Sequence, residues 1–186
     1  MGFYSRGRSP RIGRIIRPML MAGLVALAVS ATPALAVPSA PGATQANFAA
    51  VRAATAAFHD LSAAQAAGYG LFPGCFAHPE GGMGVHYVNF SSVGDGVVDP
   101  LAPEALVYEP LRGGGSRLVA VEYVVIAATW TGAEPPEVFG QPLEYVDSPN
   151  EFGLPPFYEL HVWLWQPNPS GIFHEWNPSV SCGAAG

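Results

Sequence analysis

Leu118-Val119-Ala120-Val121-Glu122-Tyr123-Val124-Val125 is the run on which the fold turns. Its β-branched and aromatic residues, with no Gly or Pro among them, predict a strand that continues to Thr129 and is long and apolar enough to be central in a sheet. One residue breaks the pattern. Glu122 would be buried there, and a buried carboxylate must find a cation, a metal or strong donors, or else hold a proton. Pairing with Arg112 or Arg117 would be a structural solution; a metal site is the other.

Working outward, Gly and Pro punctuate the chain after Gly70 into short runs rich in Val, Tyr, Leu and Trp. These predict strands over Met83–Phe90, Ala105–Glu109, Leu143–Val146 and Tyr158–Gln166. The connections are too short for crossover helices, so pairing should be mainly antiparallel. Upstream, Gln45 to Gly68 is Ala-rich and free of Pro, with Phe48, Val51, Thr55, Phe58 and Ser62 at helical steps. Asp60 can cap a second piece starting at Leu61, and Gly68 suits a helix end. The expected fold class is α+β: an N-terminal helical region packed on a curved, mainly antiparallel β-sheet or a small open barrel.

Two strands carry the remaining chemistry. In Gly82-Met83-Gly84-Val85-His86-Tyr87-Val88-Asn89, alternation puts His86 on one face with Gly84 and Val88, where missing side chains let a ligand or another backbone approach. In Tyr158-Glu159-Leu160-His161-Val162-Trp163-Leu164-Trp165, alternation sets Glu159, His161, Trp163 and Trp165 opposite an apolar face. His86, His161 and Glu122, brought together, form a donor set suited to zinc, iron or manganese. Glu104, Tyr108, Glu109, Glu159, Trp163 and Trp165 are the expected lining of a pocket around them. The rival reading is a non-enzymatic module that binds a small ligand or a cell-envelope partner through the aromatic face. Asp95-Gly96-Val97-Val98-Asp99 lacks the acid density of a calcium loop and reads as a turn. His59 and His174 read as surface residues.

Arg6, Arg8, Arg11, Arg14 and Arg17 precede an apolar run from Met19 to Val29 and the small residues Ala34-Leu35-Ala36. This is the pattern of a cleavable export signal over residues 1–36, too short in its apolar part to span a bilayer. Residues 37–44 read as a flexible leader, 45–182 as one globular domain and 183–186 as a tail. Beyond the signal only Arg52, Arg112 and Arg117 stand against all fourteen acidic residues. That balance disfavours nucleic acid and anionic membranes, and favours a cation, a neutral small-molecule ligand or a basic partner. Cys75 and Cys182, in a secreted or periplasmic setting, are expected to form one disulfide. The 118–129 strand, left at an edge, could pair with a second copy of the chain.

Taken in order, Ala64–Tyr69, Gly82–Asn89, Pro103–Tyr108, Val121–Val125, Leu160–Trp165 and Asn168–Cys182 resemble segments of a group of exported bacterial proteins whose activity is not characterised. The resemblance spans nearly all of the chain after the signal and implies export and a single domain. The strand-rich body with His and Glu also loosely resembles a cupin barrel, although the two-histidine motif of that fold is not present.

Overall fold

The computed structural model describes Gly2 and residues 41–72 and 74–183. The chain divides into two units, Met1–Ala36 and Val37–Gly186, and only the second is described below. Apart from Gly2, the expected signal lies outside the described residues, as do 37–40 of the leader and 184–186 of the tail.

Helix α1 (Pro41–Thr55) begins four residues earlier than the expected Gln45. A 3-10 turn over Ala56–His59 breaks the helical region, and α2 (Leu61–Ala66) follows, capped by Asp60, whose carboxylate accepts from the Ser62 amide at 2.9 Å. Gly68 then takes a φ of 97°, open to glycine at no steric cost, and ends the helical region. The strands are β1 (Gly70–Leu71), β2 (Phe76–His78), β3 (Gly81–Val88), β4 (Ala105–Pro110), β5 (Ser116–Ile126), β6 (Glu137–Val138), β7 (Gln141–Pro142), β8 (Glu144–Val146) and β9 (Phe157–Val162). A short helix α3 (Phe90–Val93) follows β3.

Seven strands form one antiparallel sheet in the order β1-β3-β4-β5-β9-β8, with β2 also paired to β3; β6 and β7 form a separate hairpin. The sheet stays open and does not close into a barrel. β5 is central, flanked by β4 and β9, so the edge expected to be available to a second copy is occupied. Its last three expected residues, Ala127–Thr129, turn into a 3-10 helix.

Alternation gives β5 two buried faces. Leu118, Val121, Tyr123 and Val125 meet Leu106 and Tyr108 of β4 and, above them, Phe48 and Val51 of α1 and Ala64 of α2. Each such side chain, taken fully from water, contributes about 1.5–3 kcal/mol before entropy is counted. Arg52 ties the helix down by donating from Nε to the Leu164 carbonyl, and the Tyr108 hydroxyl donates to the Phe58 carbonyl. Among the described residues no helix of this size lies over the opposite face, with Ala105, Val107, Ala120 and Val124. Loops cover it instead, with Phe72, Phe152 and Leu154 at one end and Val180 at the other. The Cys75–Cys182 disulfide, spanning 107 residues, holds the C-terminal segment beside β2.

β9 stops at Val162 rather than at Gln166. At a bulge between β4 and β5 Val119 is left without a partner across the pair, and its carbonyl instead accepts from the Trp165 and Gln166 amides while Trp163 donates to Ile172. The chain therefore leaves the ladder, and strict alternation ends with it.

Candidate metal centre

The site is built on the loop-covered face by strand register. Glu122 lies directly across from His161 on the adjoining β9, and across from Ala105 on β4. His86 belongs to β3, beyond β4 and therefore about 10 Å from β5 in the sheet. Only Ala105 and Val107 of β4 stand on this face between them, and the short Ala105 lets the longer imidazole and carboxylate reach toward each other. Gly84, two residues before His86, keeps β3 close to β4. Its φ is 110°, and a Cβ there would lie 2.9 Å from the Tyr108 carbonyl oxygen and from a Val107 methyl.

The three side chains converge. His86 Nε2 is 3.2 Å from His161 Nε2 and 3.4 Å from Glu122 Oε2, and His161 Nδ1 is 3.8 Å from Glu122 Oε1. One ligand atom from each lies within 4.8 Å of the others. An ion with bonds of about 2.0–2.1 Å in tetrahedral geometry holds its ligand atoms about 3.3 Å apart, close to the two shorter separations. All three residues are buried. Among the described residues Glu122 has no arginine partner: Arg117 pairs with Glu109 at 2.6 Å and Arg112 is exposed.

Burial sets the charge state. It pushes the His86 imidazole down to about 4 and, with His86 alongside, holds His161 well below its ordinary value, so both rings are neutral at pH 7. Burial also pushes Glu122 well above the usual carboxylate range, reinforced by the charge and hydrogen bond of Glu159. Glu159, two residues before His161 on the same face, is raised to about 7, again by burial first. Neutral imidazoles are ready ligands, and Glu122 would bind an ion as its carboxylate, the form that burial disfavours in the ion's absence. His86 Nδ1 is buried without a hydrogen-bond partner.

Other expected pocket residues have different roles. Glu104, at the start of β4, accepts from the Val124 amide at 3.1 Å and so prolongs the β4–β5 ladder. Glu109 is held by Arg117 and by the Ser181 amide, and Tyr108 points to the helix side. Trp163 stacks on His161 with ring centroids 6.1 Å apart and donates from Nε1 to the His174 carbonyl. Trp165 instead packs on the helix side, edge-on to His59. The two indoles thus do not make one aromatic face. His174 contacts Glu80 at 3.5 Å, and Asp95 and Asp99 each accept from an amide two residues on, as turn residues do.

An apolar cavity of about 240 Å³ opens on the cluster. His86, Glu122 and Glu159 are its titratable lining, and phenylalanines 72, 76, 152 and 157 form much of its wall. Phe72 and Phe152 come from segments without strand periodicity and Phe76 from a three-residue strand; the one available signal was that Phe72, Phe152 and Phe157 each adjoin Pro or Gly. Beyond Phe152 and Glu159, which line both spaces, lies an acidic recess of about 380 Å³ with Glu144, Asp147, Glu151 and Glu175.

No protein-family profile, curated protein or solved structure matches the chain. The functional reading therefore rests on this geometry.

Proposed function

We propose that the protein binds one divalent transition metal ion, zinc, iron or manganese, through His86, His161 and Glu122. The observation that carries the reading is that two neutral imidazoles and a carboxyl, drawn from three strands, meet at ligating separations in a buried site. Imidazole with carboxylate suits these metals, and three protein ligands leave a position for water or a small oxygen ligand. Glu159 in contact with Glu122 is placed to orient it, the outer-shell role that metal sites need. The acidic recess raises the local concentration of cations beside the site. The disulfide supports a working place outside the reducing cytoplasm, as for an exported protein, and among the described residues no helix is long and apolar enough to cross a membrane.

Elemental analysis of natively purified protein tests this. A transition metal near one equivalent per chain is expected, lost from His86→Ala and His161→Ala. Metal-free protein whose melting temperature is unmoved by chelator and by added zinc would remove the reading.

A further inference from the structure

We propose that the cavity above the His86/Glu122/His161 cluster is a binding site for a small, uncharged, largely apolar molecule of about ten non-hydrogen atoms with one hydrogen-bonding end group. Contact of that end group with a metal ion rests on the preceding reading; occupation of the apolar cavity does not.

Size, wall and floor each constrain the ligand. An apolar cavity of about 150 Å³ accommodates benzene, so one of about 240 Å³ takes a molecule of about ten non-hydrogen atoms. The wall is a set of interlocked rings: Phe76 meets Phe152 edge-on at 5.0 Å, Phe152 meets Phe157 at 5.8 Å, and Phe72 stacks on Phe76 at 6.2 Å. A core under selection only for packing would fill such a space, because protein interiors tolerate few voids larger than water. Polarity is confined to His86, Glu122 and Glu159, and the buried, unpartnered Nδ1 of His86 adds an unused hydrogen-bonding atom to that cluster.

Charge narrows the class. Arg52 is engaged with the Leu164 carbonyl, Arg117 with Glu109, and neither they nor Arg112 line the cavity, so among the described residues a carboxylate or phosphate would meet two acids and a neutral imidazole there, with no cation to offset its charge. A neutral alcohol, phenol or carbonyl compound with a hydrocarbon body satisfies both wall and floor. Phe90, which lines the cavity yet is 58 % exposed, marks the way in.

The test uses purified protein, chelator-treated and zinc-loaded, with 1-alkanols from butanol to dodecanol and with octanoate, read by ligand-observed NMR and thermal shift. Affinity for the chelated protein should rise about fourfold per methylene and stop rising near nonanol, and octanoate should bind at least tenfold more weakly than octanol. Val93→Phe and Leu154→Trp, which fill the space, should each weaken octanol at least tenfold while circular dichroism remains native. Absence of a chain-length limit, equal binding of octanoate, or unchanged octanol affinity in both folded variants would overturn the proposal. Should neither variant fold, the chain-length limit in the unaltered protein decides alone. Alkanol binding without zinc binding would uphold the cavity and remove the metal reading; zinc binding without alkanol binding would do the reverse.

Discussion

Replacing Glu104 by Gln separates the scaffold from the site. Glu104 is 1 % exposed, and burial raises its carboxyl from 4.5 to about 7 against the lowering effect of the Val124 amide bond. A carboxyl raised in the fold favours folding fully below its unfolded value and loses that contribution as pH rises through the folded one. The interval from 4.5 to about 7 corresponds to about 3 kcal/mol, of which about 2.5 kcal/mol falls between pH 5 and pH 8. Gln keeps an acceptor for the Val124 amide and cannot ionise, so Glu104→Gln should lose about 2.5 kcal/mol less than the parent protein across that range. Urea unfolding of metal-free protein, followed by tryptophan fluorescence at intervals of pH, measures the two slopes. The neutral rings of His86 and His161 act in the opposite direction, below pH 6.5, and are common to both proteins. Parallel profiles would refute the argument that this carboxyl is buried without charge compensation.

Other consequences follow from the same geometry. His86→Leu should change metal-free stability at pH 7 by less than about 2 kcal/mol, because removing the unpartnered Nδ1 offsets the loss of the Nε2 contact with His161, while abolishing any zinc-induced rise in melting temperature; a loss beyond about 2 kcal/mol would show that the ring is a structural strut. Gly84→Ala should destabilise by more than about 2 kcal/mol, as an added methyl meets β4 backbone at a positive φ, and denaturant titration reads the cost. Removing the disulfide by Cys75→Ser with Cys182→Ser should cost about 5 kcal/mol on the chain-entropy argument for a loop of this length, which the same titration measures.

The helical region, the antiparallel strands and the Cys75–Cys182 pairing were legible because each rests on simple signals: helical spacing through Phe48 and Val51, Gly and Pro punctuation, and two cysteines in a chain whose first residues read as an export signal. Glu122 and His86 were legible as a lone acid in an apolar strand and a His between glycines. Their convergence was not, because it depends on β4 lying between β3 and β5 and on Ala105 being the small residue at the crossing. Trp165 was misplaced by extending alternation beyond Val162, where the unpaired Val119 carbonyl captures the chain. Glu104 and Glu109 looked like pocket acids because residue type alone does not reveal a neighbouring amide or Arg117. The cavity wall escaped notice because phenylalanines 72, 76 and 152 converge through loops and short strands rather than by periodicity.

Calorimetric titration of zinc into metal-free protein is the most direct measurement of the proposed centre. Burial leaves the imidazoles neutral and disfavours the carboxylate form of Glu122, so one ion per chain should bind at pH 7, and more tightly as pH rises. Glu104→Gln and His174→Ala should bind as the parent protein does, and His86→Ala with His161→Ala at least a hundredfold more weakly. Zinc bound equally well by that double variant would place the ion elsewhere and contradict the assignment.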